Sequence, residues 1–465
     1  MGSRFAAAVA DDCMTGSVII TRKIWTVRYD YEDASGYKGW ADEFHKPESE
    51  RELALLLAEA SRVGAPVTIV GGLTGLTGGG AAQGGWAISM ERLNEVEIRQ
   101  GSAICGPGVL LKDLQEAARE TRQFFAPDPT ESTASLGGAI ATNASGSRSF
   151  RYGSTGRHVL GLRVAFVDGQ VREFKRGEAV DFPIVPLSLP RTTKNSAGYR
   201  LKPGMDWVDL FAGSEGTLGV ITEAEVQLLP VPEELLTGVI FFPSDAAALD
   251  AVDAWRGVPG LRMMEYCDRA ALHLIGIPHE AALLIESEDD DLDGWQQRLE
   301  LSGALIVDSW IAASDNDRER FRRLRHSLPE TVHARVRRNG FMKVGSDYAV
   351  PMEHNREMIA FYRKRMEEVL PGLYVIYGHI GDAHVHVNTM PETQQQFERA
   401  QALMKEFAEK AVSLGGTVAA EHGLGKRKVH LLRLQYSDAE LEAMREIKKR
   451  FDPEWLLGQG TLFEM

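Results

Sequence analysis

Histidines are concentrated in one short segment near the C-terminal end of the chain. The segment GHIGDAHVHVN contains His379, His384 and His386, and a later segment, EHGLG, contains Glu421 and His422. Imidazole nitrogens together with one carboxylate form the mixed ligand set that a borderline divalent ion accepts. A further imidazole is then free to act as a base near neutral pH. The two segments therefore indicate metal-assisted acid–base chemistry, with a strand whose polar face is simply solvated as the alternative.

The histidine segment is predicted to be a β-strand between two helices. Polar and apolar residues alternate from Ala383 to Asn388, so His384, His386 and Asn388 share one face while two valines share the other. Helical patterns at 352–369 and 394–413 lie on either side of it in the sequence. We expect these two helices to flank the strand that positions the imidazoles.

Three glycine-rich blocks in the first half of the chain predict a binding site for a long anionic molecule. They cover residues 71–80, 135–146 and 213–222, and the first directly follows a predicted strand at 66–70. Backbone N–H groups in such loops can approach an anion closely, because glycine carries no side chain. No Rossmann fingerprint occurs in its usual strand–helix context. Each block by itself is also compatible with a simple tight loop.

The rest of the pattern predicts two domains that both mix helices and strands. Pro230 and Pro232 mark the boundary, and we predict domains at 1–230 and 231–430, followed by a helical segment at 431–465 that returns to the first domain. Short apolar runs separated by helical stretches favour an antiparallel sheet in the second domain. The other predicted helices are 48–61, 110–120, 244–255, 292–302 and 438–451, and the other predicted strands are 87–90, 159–167, 171–174, 223–229, 238–242, 282–286 and 304–309.

Composition limits the function and the location of the chain. It has 465 residues, 44% of them hydrophobic, and a net charge of −14 that argues against a nucleic-acid partner. Cys13, Cys105 and Cys267 lie far apart, so neither an iron–sulfur cluster nor a disulfide framework is encoded. The apolar stretch at 5–10 is too short for a signal peptide, and no run reaches the roughly 20 residues of a membrane span. We therefore predict a cytoplasmic protein that is at most peripheral at the inner membrane.

Taken in order along the chain, these motifs resemble one family. The matching segments are the glycine blocks, Pro127-Asp128-Pro129, Arg151-Tyr152-Gly153 and the two histidine segments, over about residues 43–463. The chain resembles the vanillyl-alcohol oxidase and p-cresol methylhydroxylase (PCMH) superfamily, and within it the branch of D-lactate, glycolate and D-2-hydroxyglutarate dehydrogenases. The resemblance implies an α+β fold, with a two-lobed PCMH-type FAD-binding domain and an α+β substrate, or cap, domain that contains an antiparallel sheet.

The resemblance also implies the cofactors and the residues that hold them. Non-covalent FAD is expected, because Leu73 and Thr74 stand where some relatives carry a histidine or cysteine tether. His379, His386 and Glu421 are expected to hold a divalent metal, zinc with manganese or iron as alternatives. The residues expected to contact FAD are Gly71, Gly72, Leu73, Thr74, Gly75, Leu76, Pro127, Asp128, Ser135, Gly137, Gly138, Asn143, Ser145, Gly146, Gly216, Gly219, Val220 and Ile221.

A small 2-hydroxy acid is the implied substrate. Its metal-bound hydroxyl would be acidified, His422 would take the proton, and hydride would pass from C2 to flavin N5. Arg325, in LRHSLPE, occupies the family's position for the substrate carboxylate, although by itself it also reads as a solvated arginine of a helix. Lys343 is a further candidate for the same pocket. Asn388 either contacts the substrate or satisfies a strand end.

The chain departs from the family pattern at two places. The family reads Gly-Asn where this chain has Ala383-His384, which adds an imidazole. His384 is a further ligand, a second proton carrier or a substrate contact, and we place it with the substrate contacts. Near the C-terminus the family reads Asn-Pro-Gly-Lys, but this chain has Gly458-Gln459-Gly460-Thr461, so the flavin contact of that asparagine is not expected here.

The predicted function is FAD-dependent oxidation of a D-2-hydroxy acid to the 2-oxo acid. An alternative on the same fold is a flavin-dependent transferase without net redox chemistry, like the alkylglycerone-phosphate synthases, although the sequence shows no addition for a lipid-sized tunnel. A third reading is a metallohydrolase whose glycine blocks are only loops. No redox domain is attached, so electrons are expected to pass to a quinone, a cytochrome, an electron-transfer flavoprotein or an iron–sulfur subunit. A homodimer is compatible with the sequence.

Overall fold

The computed structural model describes residues 28–288 and 291–464, so the apolar stretch at 5–10 and Cys13 lie outside the described residues. The strands are β1 (Tyr29–Glu32), β2 (Lys38–Ala41), β3 (Glu43–His45), β4 (Val67–Val70), β5 (Trp86–Ser89), β6 (Val96–Arg99), β7 (Ser102–Cys105), β8 (Gln123–Phe124), β9 (Val159–Ala165), β10 (Val171–Lys175), β11 (Val220–Gln227), β12 (Leu229–Pro230), β13 (Leu236–Phe242), β14 (Leu261–Asp268), β15 (Ala281–Ser287), β16 (Trp310–Ile311), β17 (Val344–Gly345), β18 (Tyr374–His379) and β19 (His384–Thr389). The α-helices are α1 (Glu50–Val63), α2 (Leu111–Glu120), α3 (Leu136–Ala141), α4 (Ser149–Tyr152), α5 (Trp207–Phe211), α6 (Asp245–Trp255), α7 (Arg269–Leu274), α8 (Leu292–Leu301), α9 (Asp315–Arg338), α10 (Asn355–Val369), α11 (Gln394–Ser413), α12 (Leu432–Gln435) and α13 (Asp438–Phe451).

Two sheets organise the first half of the chain. β3, β5 and β4 form a parallel sheet in that order, and β10, β9, β11, β7 and β6 form a five-stranded antiparallel sheet. The predicted Asp-Gly hairpin is confirmed, since β9 pairs with β10 and Gly169 turns the chain at a φ of +80°. A residue without a Cβ atom adopts that conformation at little cost. The β6–β7 hairpin had no counterpart among the sequence predictions.

A seven-stranded antiparallel sheet organises the second half, as the sequence predicted. Its order is β16, β13, β15, β14, β18, β19 and β17. Successive residues of β13 face opposite sides. Ile240 and Phe242 pack in the same core as Trp255 of α6, whereas Val239 and Phe241 pack in the core that contains Val332 of α9. Helices therefore cover both faces of the sheet that carries the histidine segment.

One predicted strand, at 304–309, is wrong. These residues form turns, in which Asp308 N and Ser309 N both donate to Leu305 O, and the strand that follows, β16, has only two residues. Val307 is 98% exposed. An apolar run with high β propensity becomes a strand only where a neighbour pairs with it, and tertiary context decides that.

The C-terminal segment packs against the first glycine block. Val67 N at the start of β4 donates to Leu456 O at 2.7 Å, and Gly458 N donates back to Val67 O at 2.8 Å. The chain end therefore supports the strand that leads into the glycine loop.

Among the described residues, no helix combines the length and apolar character needed to cross a membrane.

Candidate active site and flavin cavity

The register of β18 and β19 brings three imidazoles to one face of the sheet. His379 lies directly opposite His384, and Tyr377 lies opposite His386. Paired residues of an antiparallel ladder point to the same side, and residues two apart in one strand do so as well. The ring centroids of His384 and His386 are 4.4 Å apart, and each lies 5.4 Å from that of His379. The predicted alternation therefore produces a compact cluster of imidazoles.

Hydrogen bonds fix the orientation of two of these rings. His379 Nδ1 lies 2.5 Å from Glu265 Oε1, and His386 Nδ1 lies 2.9 Å from the carbonyl oxygen of Ser346. Both partners are acceptors, so each Nδ1 carries the proton in the neutral ring and each Nε2 keeps its lone pair. A metal-ligating histidine has this arrangement, in which the second nitrogen donates to a carboxylate or a carbonyl.

Glu421 faces both of the free nitrogens. Its Oε1 lies 3.2 Å from His379 Nε2 and 3.2 Å from His386 Nε2. Its Oε2 accepts from the buried Lys194 ammonium at 3.0 Å. Although burial opposes ionisation, His379 and Lys194 hold the pKa of Glu421 well below its usual value. The site thus contains an ionised carboxylate, held by a lysine, between two imidazoles.

Without a metal the same charges act on His379. Burial alone would lower its pKa, but Glu265 and Glu421 together raise the pKa of His379 to about 9. For His386 the balance is the opposite, because burial outweighs Glu421 and lowers its pKa. A cation is therefore favoured in the centre of this cluster, either as a protonated imidazole or as an ion bound by the rings.

His422 stands beside this cluster with a carboxylate of its own. Its Nδ1 lies 3.4 Å from Asp347 Oδ2, and its Nε2 lies 3.5 Å from Glu421 Oε1. Asp347 is fully buried, and although burial opposes ionisation, His422 and Lys428 hold its pKa well below the usual value. The His422 side chain is 25% exposed, which makes it the accessible imidazole of the group.

The first and third glycine blocks form a cavity with part of the second. Its wall contains these predicted FAD contacts: Gly71, Gly72, Leu73, Thr74, Gly75, Leu76, Ser135, Gly137, Gly138, Ser145, Gly216, Gly219, Val220 and Ile221. A Cβ atom on Gly71 would lie 2.5 Å from Ser135 Oγ, and one on Gly72 would lie 2.8 Å from Thr133 O. Side chains at these two positions would push the blocks apart, so the glycines are required for the wall to close. The C-terminal Gly458 also lines this cavity.

Four predicted FAD contacts do not lie on the cavity wall: Pro127, Asp128, Asn143 and Gly146. Two of them have visible structural roles. Asn143 has a φ of +49° and accepts a hydrogen bond from Gly156 N through Oδ1. A Cβ atom on Gly146 would lie 1.8 Å from Asp128 O, so these two backbones are in direct contact. At Asn143 and Gly146 the contacts are with other parts of the chain, so these two residues stabilise the conformation of the second glycine block and do not line the cavity.

This cavity, in which the sequence predicts FAD and which we call the flavin cavity, meets the imidazole cluster at Glu421 and His422, which both line it. Glu215 joins the two regions, because its carboxylate accepts hydrogen bonds from Leu424 N at 2.9 Å and Gly425 N at 2.8 Å. Burial raises the pKa of Glu215 to about 7. A Cβ atom on Gly425 would lie 2.2 Å from Thr77 O, so only glycine allows this close approach. The third glycine block therefore fixes the segment that carries Glu421.

The predicted substrate contacts lie near this junction. The Arg325 side chain is 12% exposed, donates through Nε to Glu265 Oε2 at 3.0 Å, and donates through a terminal nitrogen to Thr130 Oγ1, a residue of the cavity wall. It is therefore not the solvated helix arginine of the alternative reading. Burial and the nearby Lys428 lower the pKa of Lys343 to about 8. Asn388 is buried, and its Nδ2 makes no hydrogen bond among the described residues.

Four residues of the site were not predicted from the sequence: Glu265, Lys194, Asp347 and Glu215. Asp347 and Glu215 lie in segments that the family resemblance includes or adjoins, yet each looks like an ordinary surface carboxylate in the sequence. Glu265 lies on β14, where every residue is buried and no alternation marks a functional face. No pattern in the sequence singles out Lys194.

The backbone at Ala383 gives a test of the local departure from the family pattern. Ala383 has a φ of +50°, and its amide donates to Ile380 O at 3.0 Å to close the turn between β18 and β19. A left-handed conformation costs an L-residue about 1–2 kcal/mol, while glycine costs about 0.5–1 kcal/mol of extra chain entropy. Ala383 is also buried, and losing its methyl group costs about 0.8 kcal/mol, so we expect Ala383→Gly to leave the free energy of unfolding within about 0.5 kcal/mol of wild type, measured by chemical denaturation.

A matched control for this variant is Ala402→Gly in the exposed face of α11. In a helix interior the same change lowers stability by about 1 kcal/mol. If Ala383→Gly lost as much stability as Ala402→Gly, the backbone argument for Ala383 would be contradicted.

The site defines a flavin-binding class of protein, and comparisons with known proteins agree. Residues 41–175 match the family described as FAD binding domain, and residues 231–462 match the family described as FAD linked oxidases, C-terminal domain. A D-lactate dehydrogenase from Archaeoglobus fulgidus is 32% identical over 436 residues, which cover 90% of each chain. The chain therefore belongs to the FAD-linked oxidases, which are oxidoreductases with FAD as cofactor, and it has their PCMH-type α+β fold.

Further relatives extend over nearly the same length. The glycolate oxidase subunit GlcD of Bacillus subtilis is 28% identical and covers 94% of this chain and 92% of its own. A D-2-hydroxyglutarate dehydrogenase from Xanthomonas citri is 29% identical and covers 90% of this chain and 88% of its own. A solved structure of alkyldihydroxyacetonephosphate synthase superposes with a TM-score of 0.64 at 16% identity, covering 89% of this chain and 75% of the other. That last likeness shows the shared fold alone.

Proposed function

We propose that the protein oxidises a D-2-hydroxy acid to the corresponding 2-oxo acid, with non-covalent FAD and a divalent metal. The observation that carries the proposal is the position of Glu421 and His422, which line the flavin cavity while Glu421 also faces the imidazole cluster. Three relatives that match nearly the whole chain are named D-lactate dehydrogenase, glycolate oxidase subunit and D-2-hydroxyglutarate dehydrogenase. Leu73 and Thr74 in the first loop offer no side chain for a covalent flavin link.

The donor atoms fit a divalent metal. Nε2 of His379 and Nε2 of His386 each lie 3.2 Å from Oε1 of Glu421, while Nδ1 of each ring faces a different acceptor. Two imidazole nitrogens and an ionised carboxylate oxygen suit zinc. Iron or manganese also accept this ligand set, although they bind imidazole less well than zinc does. A bound ion would acidify the substrate hydroxyl as it acidifies water.

His422 is the base in this proposal. It takes the hydroxyl proton of the substrate, and the C2 hydrogen leaves with its electron pair for the flavin, which supplies the hydride acceptor when bound. Asp347 remains a carboxylate at neutral pH and lies beside His422 Nδ1, so it orients the ring and stabilises the imidazolium that forms.

Arg325 is the proposed partner of the substrate carboxylate. Its guanidinium is held on one edge by Glu265, the same carboxylate that orients His379, and it reaches Thr130 on the cavity wall. A guanidinium fixed on one edge can still bind a carboxylate through its remaining N–H groups. Lys343, His384 and Asn388 stay proposed contacts of the same pocket. The metal identity, the external electron acceptor, a homodimer, the cytoplasmic location and the division at residues 230 and 430 stay predictions.

Anaerobic reduction of the flavin tests the proposed function directly. The FAD-bound, metal-loaded protein is mixed with D- and L-lactate, D- and L-2-hydroxyglutarate and glycolate, and the flavin absorbance is followed. We expect at least one D-acid or glycolate to bleach the oxidised flavin, with no bleaching by the L-enantiomers. Bound FAD that no hydroxy acid reduces would contradict the proposal and favour a transferase without net redox chemistry.

A further inference from the structure

His384 is the one imidazole of the cluster that has no part in proton transfer or metal binding in the proposed reaction. It is fully buried, and within the described residues neither of its ring nitrogens makes a hydrogen bond of good geometry. A buried polar atom without a partner costs about 1–3 kcal/mol, so two on one ring need a physical explanation. A histidine at this position brings a ring with an available lone pair into the cluster, with its centroid 4.4 Å from that of His386.

The surroundings of His384 distinguish its two nitrogens. Nε2 lies 3.3 Å from Asp347 Oδ1, and Nδ1 lies 4.0 Å from Glu421 Oε2. A small rotation of the ring lets Nε2–H donate to Asp347, which leaves the lone pair of Nδ1 facing Glu421. Asp347 is itself fixed, because it accepts the backbone N–H groups of Glu421 and His422 at 3.2 Å and 3.1 Å. After this rotation His384 would pair with Asp347 through Nε2, as His379 pairs with Glu265 through Nδ1.

The distances between donor atoms allow one ion to reach all of them. One nitrogen from each of His379, His384 and His386 and one oxygen of Glu421 lie within 4.8 Å of one another. Ligand atoms around a tetrahedral zinc ion are separated by roughly 3.3 Å, given zinc–nitrogen distances of about 2.0–2.1 Å. To reduce the separations of up to 4.8 Å to about 3.3 Å, the side-chain ends must shift by about 1 Å, and rotations about the χ angles allow such shifts.

We propose that His384 is a third imidazole ligand, so that this chain binds its metal through three histidines and Glu421 rather than two histidines and a glutamate. The inference rests on the metal site of the proposed function and extends it. Coordination satisfies the otherwise unpaired Nδ1, and Asp347 satisfies Nε2. A third imidazole favours zinc, iron or cobalt over manganese, because imidazole binds these three ions better than it binds Mn²⁺, which prefers oxygen ligands.

The test compares zinc binding by wild type and His384→Asn in the FAD-loaded protein. Equilibrium dialysis against buffered Zn²⁺, with metal measured by atomic emission, gives the affinity, and zinc K-edge X-ray absorption counts the imidazoles. We expect His384→Asn to weaken zinc binding more than about tenfold. Loss of a residue that only hydrogen-bonds a metal ligand already lowers metal affinity by roughly 10–100-fold, and loss of a ligand should cost at least as much. We expect three imidazoles in wild type and two in the variant, with FAD content unchanged.

Controls separate this inference from the proposed function. His273→Asn, at an exposed position of α7, is expected to bind zinc like wild type. Two imidazoles in wild type, with unchanged affinity in His384→Asn, would overturn the inference and leave the metal site of the proposed function standing. Failure of wild type itself to bind zinc, iron, cobalt or manganese would overturn both. Because the imidazole count is made on wild type, the test also holds if the variant fails to fold.

Discussion

Replacing Glu421 by glutamine is expected to abolish binding of the proposed metal and to lower kcat by more than about a thousandfold, since a metal ion supplies several kcal/mol of charge stabilisation and each 1.36 kcal/mol is tenfold. Its Oε1 lies 3.2 Å from both His379 Nε2 and His386 Nε2, so the carboxylate is where the two ligand nitrogens converge. The neutral amide keeps the shape but loses the charge that a divalent ion needs. Metal content and steady-state rates with the D-acid that reduces the flavin measure the effect.

The neighbouring lysine sets the control for this variant. Lys194 is fully buried and pairs with Glu421 at 3.0 Å and with Asp382 at 3.5 Å, so glutamine leaves its charge with one carboxylate fewer. Glu421→Asp keeps that charge on a side chain that is one methylene shorter. We expect the aspartate variant to hold metal weakly and to keep part of the activity, with FAD content equal to wild type in both variants. Full activity of Glu421→Gln with unchanged metal content would contradict the proposed metal site.

The sequence predicts the imidazole cluster better than it predicts the residues that orient its rings. The histidine segment alternates with period two, and this periodicity alone places His384 and His386 on one face. Glu265, which orients His379, lies 114 residues away from it on a strand that is buried on both sides. The charged residues of this strand, Arg262, Glu265 and Asp268, lie three positions apart, so Glu265 carries no signal of period two. Its role becomes visible only when β14 pairs with β18.

The glycine blocks show a second limit of reasoning from sequence. A glycine is required either where a ligand approaches the backbone or where two backbones approach each other, and the sequence does not distinguish these causes. Gly71 and Gly72 lie on the flavin cavity, whereas Gly146 lies against the carbonyl of Asp128. The same holds for Asn143, whose positive φ and hydrogen bond to Gly156 serve the chain itself. The block was therefore predictable as a unit, but the direction in which each residue faces was not.

Replacing His422 by glutamine is expected to lower kcat by about a hundredfold to ten-thousandfold, which is the usual contribution of a general base. The metal ligands and the flavin cavity remain, because glutamine reaches Asp347 but cannot accept a proton near neutral pH. Metal content, FAD content and KM should stay near wild type, since the imidazole acts on the proton and not on binding. Anaerobic single-turnover reduction of the flavin measures the chemical step without the electron acceptor.

A matched control and a rescue experiment distinguish a base from a structural residue at this position. His430→Gln changes an exposed imidazole eight residues further along, outside the cavity wall, and should leave flavin reduction unchanged. Added imidazole should restore part of the rate of His422→Gln, because the ring is 25% exposed at the cavity and its removal leaves room for a small base. Wild-type flavin reduction by His422→Gln would contradict the assignment.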